Sequence, residues 1–126
     1  RAASIGYRET VEQLLKNGVD INVQSKKKNT ALIMAADRGI LKMVSFLLKN
    51  KAKLDIKNEH GNTALILAAR NGHLEIVSAL IKQGANVKIR NKDKQNALSY
   101  AESANYHEII SILEKAHEEQ KLFGIF

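Results

Sequence analysis

Histidine is the residue best suited to hold a metal ion or to transfer a proton near neutral pH. The chain contains four, His60, His73, His107 and His117, and no two of them are spaced as i and i+4 on one helix face. No cluster of acidic residues completes a set of metal ligands, and cysteine is absent, so a thiolate site is excluded. We therefore predict neither a metal site nor a cofactor.

Nucleophilic catalysis requires an activated side chain on a positioned turn, usually with a base beside it. The sequence contains no G-x-S-x-G elbow and no glycine-rich phosphate loop. Asp37 and Arg38 are neighbours of opposite charge, but adjacent residues on a helix diverge, and we interpret them as a solvated helix surface. We predict no catalytic residue, and hence that the protein is not an enzyme.

The charge balance indicates the sign of a binding partner. The chain has 20 Lys and Arg residues against 13 Asp and Glu residues, a formal net charge of +7, which favours association with an acidic surface. Aromatic residues make up only 5% of the chain, and no nucleic-acid docking motif accompanies the charge. Charge-driven nucleic-acid binding is therefore the least favoured function.

Hydropathy gives a further expectation about location. No apolar run approaches the roughly 18 residues that cross a bilayer, so we expect no membrane insertion. The first residues lack the basic flank and apolar core of a secretion signal. We expect the cytoplasm, and export or a periplasmic location stays open if an upstream signal has been removed.

An internal repeat determines how these side chains are placed. Residues 30–33 read TALI, residues 63–66 repeat TALI and residues 96–99 read NALS, each offset by 33 residues from the one before. Such a fixed period is the signature of a solenoid, in which each unit buries its apolar face only against its neighbours.

Recurring glycines extend the register backwards, because Gly72 is matched by Gly39 and Gly6. Four units follow, of which the first is incomplete and the two end units act as caps. Their approximate bounds are residues 1–25, 26–58, 59–91 and 92–117, followed by an apolar tail at residues 118–126.

Each unit has the pattern of two short helices. In the third unit, Leu65, Ala68 and Ala69 mark one face of a helix that Gly72 ends, and a second helix begins near His73. A segment of alternating polar and apolar residues and a polar turn follow, which predict a projecting, hairpin-like finger. The fold class is an all-α solenoid of stacked helix-turn-helix units.

Residues 61–77 and 84–87 resemble the ankyrin repeat nearly residue for residue, and the resemblance covers residues 2–115. Where the family has Thr-Pro-Leu-His, this chain has Thr-Ala-Leu-Ile at Thr30 and Thr63. The finger glycine is present at Gly61 but is Lys28 and Lys94 in the neighbouring units, where a left-handed turn would be strained. We therefore expect those two fingers to use another turn type.

The resemblance implies a function and a surface. Ankyrin proteins usually contact partner proteins through the finger tips and the exposed face of each first helix. By register, the partner-binding positions are Ser4, Ile5, Lys26, Lys27, Asn29, Asp37, Arg38, Glu59, His60, Asn62, Arg70, Asn71, Lys92, Asp93, Gln95 and Ser103.

The preferred function is a non-catalytic protein–protein interaction module, monomeric on its own, that binds a partner with an acidic surface. An alternative is a small inhibitor or immunity-type protein that blocks an enzyme's active-site cleft. The tail residues Leu122, Phe123, Ile125 and Phe126 either fold back over the last unit or form a docking peptide.

Overall fold

A computed structural model of the chain describes residues 9, 13, 16–18 and 20–123. No strand occurs among these residues, and the predicted all-α class is confirmed. The helices with complete bounds are α1 (Ala31–Arg38), α2 (Leu41–Lys49), α3 (Ala64–Arg70), α4 (Leu74–Lys82), α5 (Ala97–Ala104) and α6 (His107–Leu122).

The first helix of each complete unit begins at the recurring polar residue of the repeat. Thr30 and Thr63 each accept a hydrogen bond from the backbone N–H three residues later, at 3.1 and 3.2 Å. Asn96 accepts the equivalent bond from Ser99 at 2.8 Å, and the Ser99 hydroxyl accepts one from the Asn96 backbone, which completes a capping box. Each cap satisfies a backbone donor that the helix start would otherwise leave unpaired.

The turn between the two helices of a unit requires glycine for two reasons. Gly39 and Gly72 both have a φ of 75°, in the left-handed region. A Cβ atom on Gly39 would lie 2.6 Å from the ring of His73, and one on Gly72 would lie 2.9 Å from the ring of Tyr106. The rings of His73 and Tyr106, the residues that precede α4 and α6, therefore pack against the glycine turn of the unit before them.

The helices stack in two layers. Helices α1, α3 and α5 pack in succession as the inner layer, and α2, α4 and α6 pack in succession as the outer layer. Larger side chains such as Met43, Leu47, Ile76 and Leu80 fill the outer layer. The inner layer is built on small side chains that let helices approach closely, namely Ala35, Ala36, Ala68, Ala69 and Ala101.

The three described fingers use one turn type. Lys28, Gly61 and Lys94 have φ angles of 63°, 76° and 62°, and each backbone N–H donates to the carbonyl three residues earlier. The prediction of another turn type at the two lysines is therefore wrong. A left-handed backbone conformation costs a residue with a side chain about 1–2 kcal/mol. At Lys28 and Lys94 the hydrogen bond of the turn offsets this cost, and both side chains are exposed.

Helix α6 extends past residue 117, where the repeat domain is predicted to end, and reaches Leu122. Leu122 and the next residue, Phe123, are 77% and 72% exposed. Neither side chain covers the last unit. Ile125 and Phe126 lie outside the described residues.

The far part of α6 closes the end of the stack through one polar side chain. Gln120 is only 6% exposed, although it is polar. Its Oε1 accepts a hydrogen bond from the backbone N–H of Val87 at 3.2 Å, and its Nε2 donates to the carbonyl of Ala85 at 2.8 Å. Gln120 therefore satisfies two buried backbone groups of the segment that follows α4.

Candidate functional site

A groove of about 490 Å³ runs between the fingers and the inner helices. Its apolar part includes Met34 and Leu67, which occupy the same position in successive units. The remaining lining residues are Asn29, Ile33, Asp37, Arg38, Asn58, His60, Asn62, Arg70 and Asp93. We call this the inner groove.

Asp37 and Arg70 hold equivalent positions in successive units and carry opposite charges. Their charged groups lie 3.8 Å apart, with both side chains somewhat less than half exposed. Asn71 adds two bonds from its Nδ2, one of 2.7 Å to the Asp37 carboxylate and one of 3.0 Å to the Asp37 carbonyl. The ring of His73 lies 3.2 Å from that same carbonyl through Nε2. The second unit is thus tied to the third along one rim of the groove.

Arg70 also reaches the fourth unit. Its guanidinium lies 5.8 Å from the centre of the Tyr100 ring, within the range of a cation–π contact. The Tyr100 hydroxyl in turn accepts a hydrogen bond from the Nδ2 of Asn91 at 2.9 Å. Arg70 is therefore held between Asp37 of one neighbouring unit and Tyr100 of the other, which restricts the rotamers that the unbound side chain samples.

A ladder of asparagine side chains joins the fingers. The Nδ2 of Asn58 donates to Oδ1 of Asn29 at 3.0 Å, and the Nδ2 of Asn91 donates to Oδ1 of Asn62 at 2.8 Å. The Oδ1 of Asn91 accepts from two backbone N–H groups of its own finger, at residues 93 and 95. The Oδ1 of Asn58 accepts the equivalent two bonds, from residues 60 and 62. Asn58 and Asn91 therefore each order their own turn and link it to the finger before it.

Asn62 requires a correction. The sequence register places it among exposed contact residues, but its side chain is 5% exposed and is occupied by the bond from Asn91. Its role is to hold two fingers together, so we exclude it from the contact surface.

The other predicted contact residues fall into three groups. The exposed ones are Lys26, Lys27, Arg38, His60, Arg70, Asn71, Lys92, Asp93 and Ser103. The half-buried ones are Asn29, Asp37, Glu59 and Gln95. Ser4 and Ile5 lie outside the described residues. The inner groove collects Asn29, Asp37, Arg38, His60, Arg70 and Asp93 from this set, together with the corrected Asn62.

Sequence reasoning missed Met34, Leu67 and Tyr100 around the groove and Asn58 and Asn91 in the ladder. The signal that could have found the ladder is the 33-residue recurrence of Asn58 as Asn91. Met34 and Leu67 recur at the same spacing. Tyr100 follows Leu67 by the same 33 residues, but it is aromatic whereas Met34 and Leu67 are aliphatic, so the repeat did not indicate its role.

Residues 9, 13, 16–18 and 20–123 also bear on metal-binding and membrane-spanning functions. Within those residues no group of His, Asp or Glu side chains is arranged to hold a metal ion. None of the helices described there combines the length and the apolar character needed to span a bilayer.

Comparison with known proteins agrees with the geometry. A family model described as ankyrin repeats (3 copies) matches residues 1–91 and, in an overlapping match, residues 52–122. No curated protein shows significant similarity to the chain.

Proposed function

Because this chain belongs to the ankyrin-repeat family, whose repeats are generally protein–protein interaction modules, we propose that it is a non-catalytic module that binds a partner protein through its finger tips and inner groove. The observation that carries the proposal is the position of Arg70, held between Asp37 and the Tyr100 ring at the groove.

Pre-organisation is the physical reason for favouring this surface. Ordering a long side chain on binding costs about 0.5–1.5 kcal/mol, and a side chain that is already restrained avoids part of that cost. Arg70 is restrained on two sides while remaining exposed, and its planar guanidinium suits directed bonds to a carboxylate. The asparagine ladder restrains the fingers in the same way.

The charge of the finger tips supports an acidic partner. Lys26, Lys27 and Lys92 are exposed, and none of them forms an ion pair within the described part of the chain. These lysines are part of the basic excess that gives the chain a net charge of +7, and they are free to attract an acidic surface. We propose that the partner presents carboxylates to these lysines and to Arg70.

Nucleic acid remains the less favoured partner. Proteins that bind single strands stack bases on several exposed aromatic rings. In residues 20–123 the exposed large aromatic side chain is Phe123, while Phe46, Tyr100 and Tyr106 are partly buried.

The test is an affinity capture from a lysate of the source organism, with bound proteins identified by mass spectrometry. The groove variant combines Lys27→Glu, Arg38→Glu and Arg70→Glu. The matched control combines Lys42→Glu, Lys82→Glu and Lys115→Glu, which makes the same change in net charge at exposed positions of the outer helices. Thermal unfolding of both variants establishes that each is folded.

A partner captured by the parent and the control, and lost from the groove variant, supports the proposal. Equal capture by all three proteins would contradict it. If the captured partner is an enzyme, its activity at equal stoichiometry distinguishes the two versions of the function. Loss of activity indicates an inhibitor, and full activity indicates a scaffold or adaptor.

A further inference from the structure

A second concavity lies beside the fingers, and it shares only Lys92 and Glu59 with the predicted protein-contact residues. Its volume is about 390 Å³. The charged residues that line it are Lys28, Lys57, Glu59, Arg90 and Lys92, with Asn58, Asn91 and the backbone of Gly61 between them. We call this the outer groove.

The outer groove concentrates positive charge. Four cationic side chains surround it against one carboxylate, a formal excess of three positive charges. The Glu59 carboxylate lies 3.6 Å from the ring of His60, a residue outside the lining of this groove. Lys28, Lys57 and Lys92 form no ion pair within the described part of the chain.

Hydrogen bonds to backbone carbonyls position the chain at Lys57 and the side chain of Arg90. Lys57 and Arg90 occupy the same position in successive units. The carbonyl of Lys57 accepts a bond from Gln24 at 3.2 Å, and one Nη of Arg90 donates to the carbonyl of Lys94 at 2.9 Å. That bond uses one nitrogen of the guanidinium, so the remaining donors of Arg90 are available to a ligand.

Gly61 brings the two sides of the groove together. A Cβ atom at Gly61 would lie 3.0 Å from the backbone nitrogen of Lys92 and 3.1 Å from the Cα of Asn91. The equivalent positions in the neighbouring units are lysines, Lys28 and Lys94. The glycine therefore allows the finger of Gly61 to lie against the finger of Asn91 and Lys92, and it adds no side chain to the outer groove.

We propose that the outer groove binds a compact polyanion carrying several phosphate groups. Lysine ammonium groups act as point charges toward phosphate oxygens, and arginine can donate two parallel bonds to one phosphate. A single carboxylate would neutralise only part of the excess of three charges, whereas a polyphosphorylated group matches it within the available volume. Bound anion also relieves the mutual repulsion of the four cations.

The test uses tripolyphosphate as the soluble probe, measured by calorimetric titration of the full chain at constant ionic strength. The site variant is Lys57→Gln with Arg90→Gln, neither of which belongs to the proposed protein-contact surface. The matched control is Lys42→Gln with Lys115→Gln, at exposed positions outside the groove. The single variant Lys57→Gln keeps the test valid if the double variant unfolds, because the side chain of Lys57 makes no hydrogen bond in the described structure.

We expect saturable binding of one tripolyphosphate, weakened at least tenfold in the site variant, at least threefold in Lys57→Gln and less than twofold in the control. The amide resonances of residues 57–61 and 90–92 should shift most on titration. Non-saturable binding, or an equal loss in the site variant and the control, would overturn the proposal.

Vesicles identify the source of the phosphate groups. Phosphatidylcholine vesicles with and without phosphatidylinositol 4,5-bisphosphate are tested by flotation with the same proteins. Flotation that needs the phosphorylated lipid and Lys57 supports a lipid headgroup, and tripolyphosphate binding without flotation supports a free polyphosphorylated molecule. Failure of both probes overturns the inference. Protein capture by the Lys57→Gln variant is unaffected in every case, so this result and that of the proposed function are separable.

Discussion

The side chain of Asn71 donates a 2.7 Å hydrogen bond to the carboxylate of Asp37 in the unit before it. Asn71 ends helix α3, and Asp37 lies in the last turn of helix α1, so the bond joins two successive inner helices at their C-terminal ends. Arg70 lies 3.8 Å from the same carboxylate. One acidic side chain therefore serves both the stacking of units and the electrostatics of the inner groove.

Substitution of Gly72 should cost more than substitution of Gly84. Both glycines have positive φ, but a Cβ at Gly72 meets the Tyr106 ring at 2.9 Å, whereas a Cβ at Gly84 meets nothing within 4 Å. Gly84→Ala should lower the free energy of unfolding by about 1–2 kcal/mol through backbone strain alone. We expect Gly72→Ala to lower it by at least about 1 kcal/mol more. Urea denaturation measures both, and equal losses would contradict the close approach of Tyr106.

Replacing Lys94 by glycine should stabilise the protein slightly. Lys94 has a φ of 62°, which costs a lysine more than a glycine, although glycine also gains entropy in the unfolded chain. We expect Lys94→Gly to raise the free energy of unfolding by about 0.5–1 kcal/mol. Lys92→Gly, in the same finger but without positive φ, should lower it. Stabilisation by both substitutions would show that loss of charge, rather than backbone strain, is the cause.

Gln120 should contribute to stability beyond its size. Gln120→Ala leaves the N–H of Val87 and the carbonyl of Ala85 buried without their partner. Each unsatisfied buried group costs about 1–3 kcal/mol, so we expect a loss of at least about 2 kcal/mol in urea denaturation. Hydrogen exchange of the Val87 amide should accelerate. Gln83→Ala, at an exposed position, is the control, and similar losses in the two variants would refute the role assigned to Gln120.

His117 makes stability depend on pH. Burial, and then the charges of Lys88 and Arg90, lower the pKa of His117 below its ordinary value of 6.5. Its Nε2 is buried and has no hydrogen-bond partner in the described structure. As the pH falls, His117 therefore becomes protonated in the unfolded chain at a higher pH than in the folded protein. The contribution of neutral His117 to the free energy of unfolding is fully present above about pH 6.5. It is lost as the pH falls through the lower pKa of the folded state.

The measurement is the free energy of unfolding of the parent and of His117→Gln across that pH range. The difference between them should shrink as the pH falls, whereas the difference between the parent and Ser111→Ala, at an exposed position of the same helix, should change less. A difference that is independent of pH for His117→Gln would contradict the effect of burial.

The 33-residue period is sufficient to predict the helical hairpins, because the polar residue at the repeated position caps the start of a helix in each unit, as Thr30, Thr63 and Asn96. Burial and turn geometry were harder to predict, because they depend on contacts between units. Asn62 is polar and next to a finger turn, yet its bond to Asn91 buries it. Lys28 and Lys94 adopt a glycine-like turn because the hydrogen bonds of the finger outweigh local preference.

Site-specific photocrosslinking in the source organism's lysate tests most directly whether a partner contacts the inner groove. A photoreactive phenylalanine derivative is placed at Arg38 or His60, which line the groove, and in separate proteins at Lys42 or Lys115 on the outer helices. We predict that one partner protein crosslinks from both groove positions and from neither outer position. Crosslinking of that partner from Lys42 or Lys115, with none from Arg38 and His60, would contradict the proposed function.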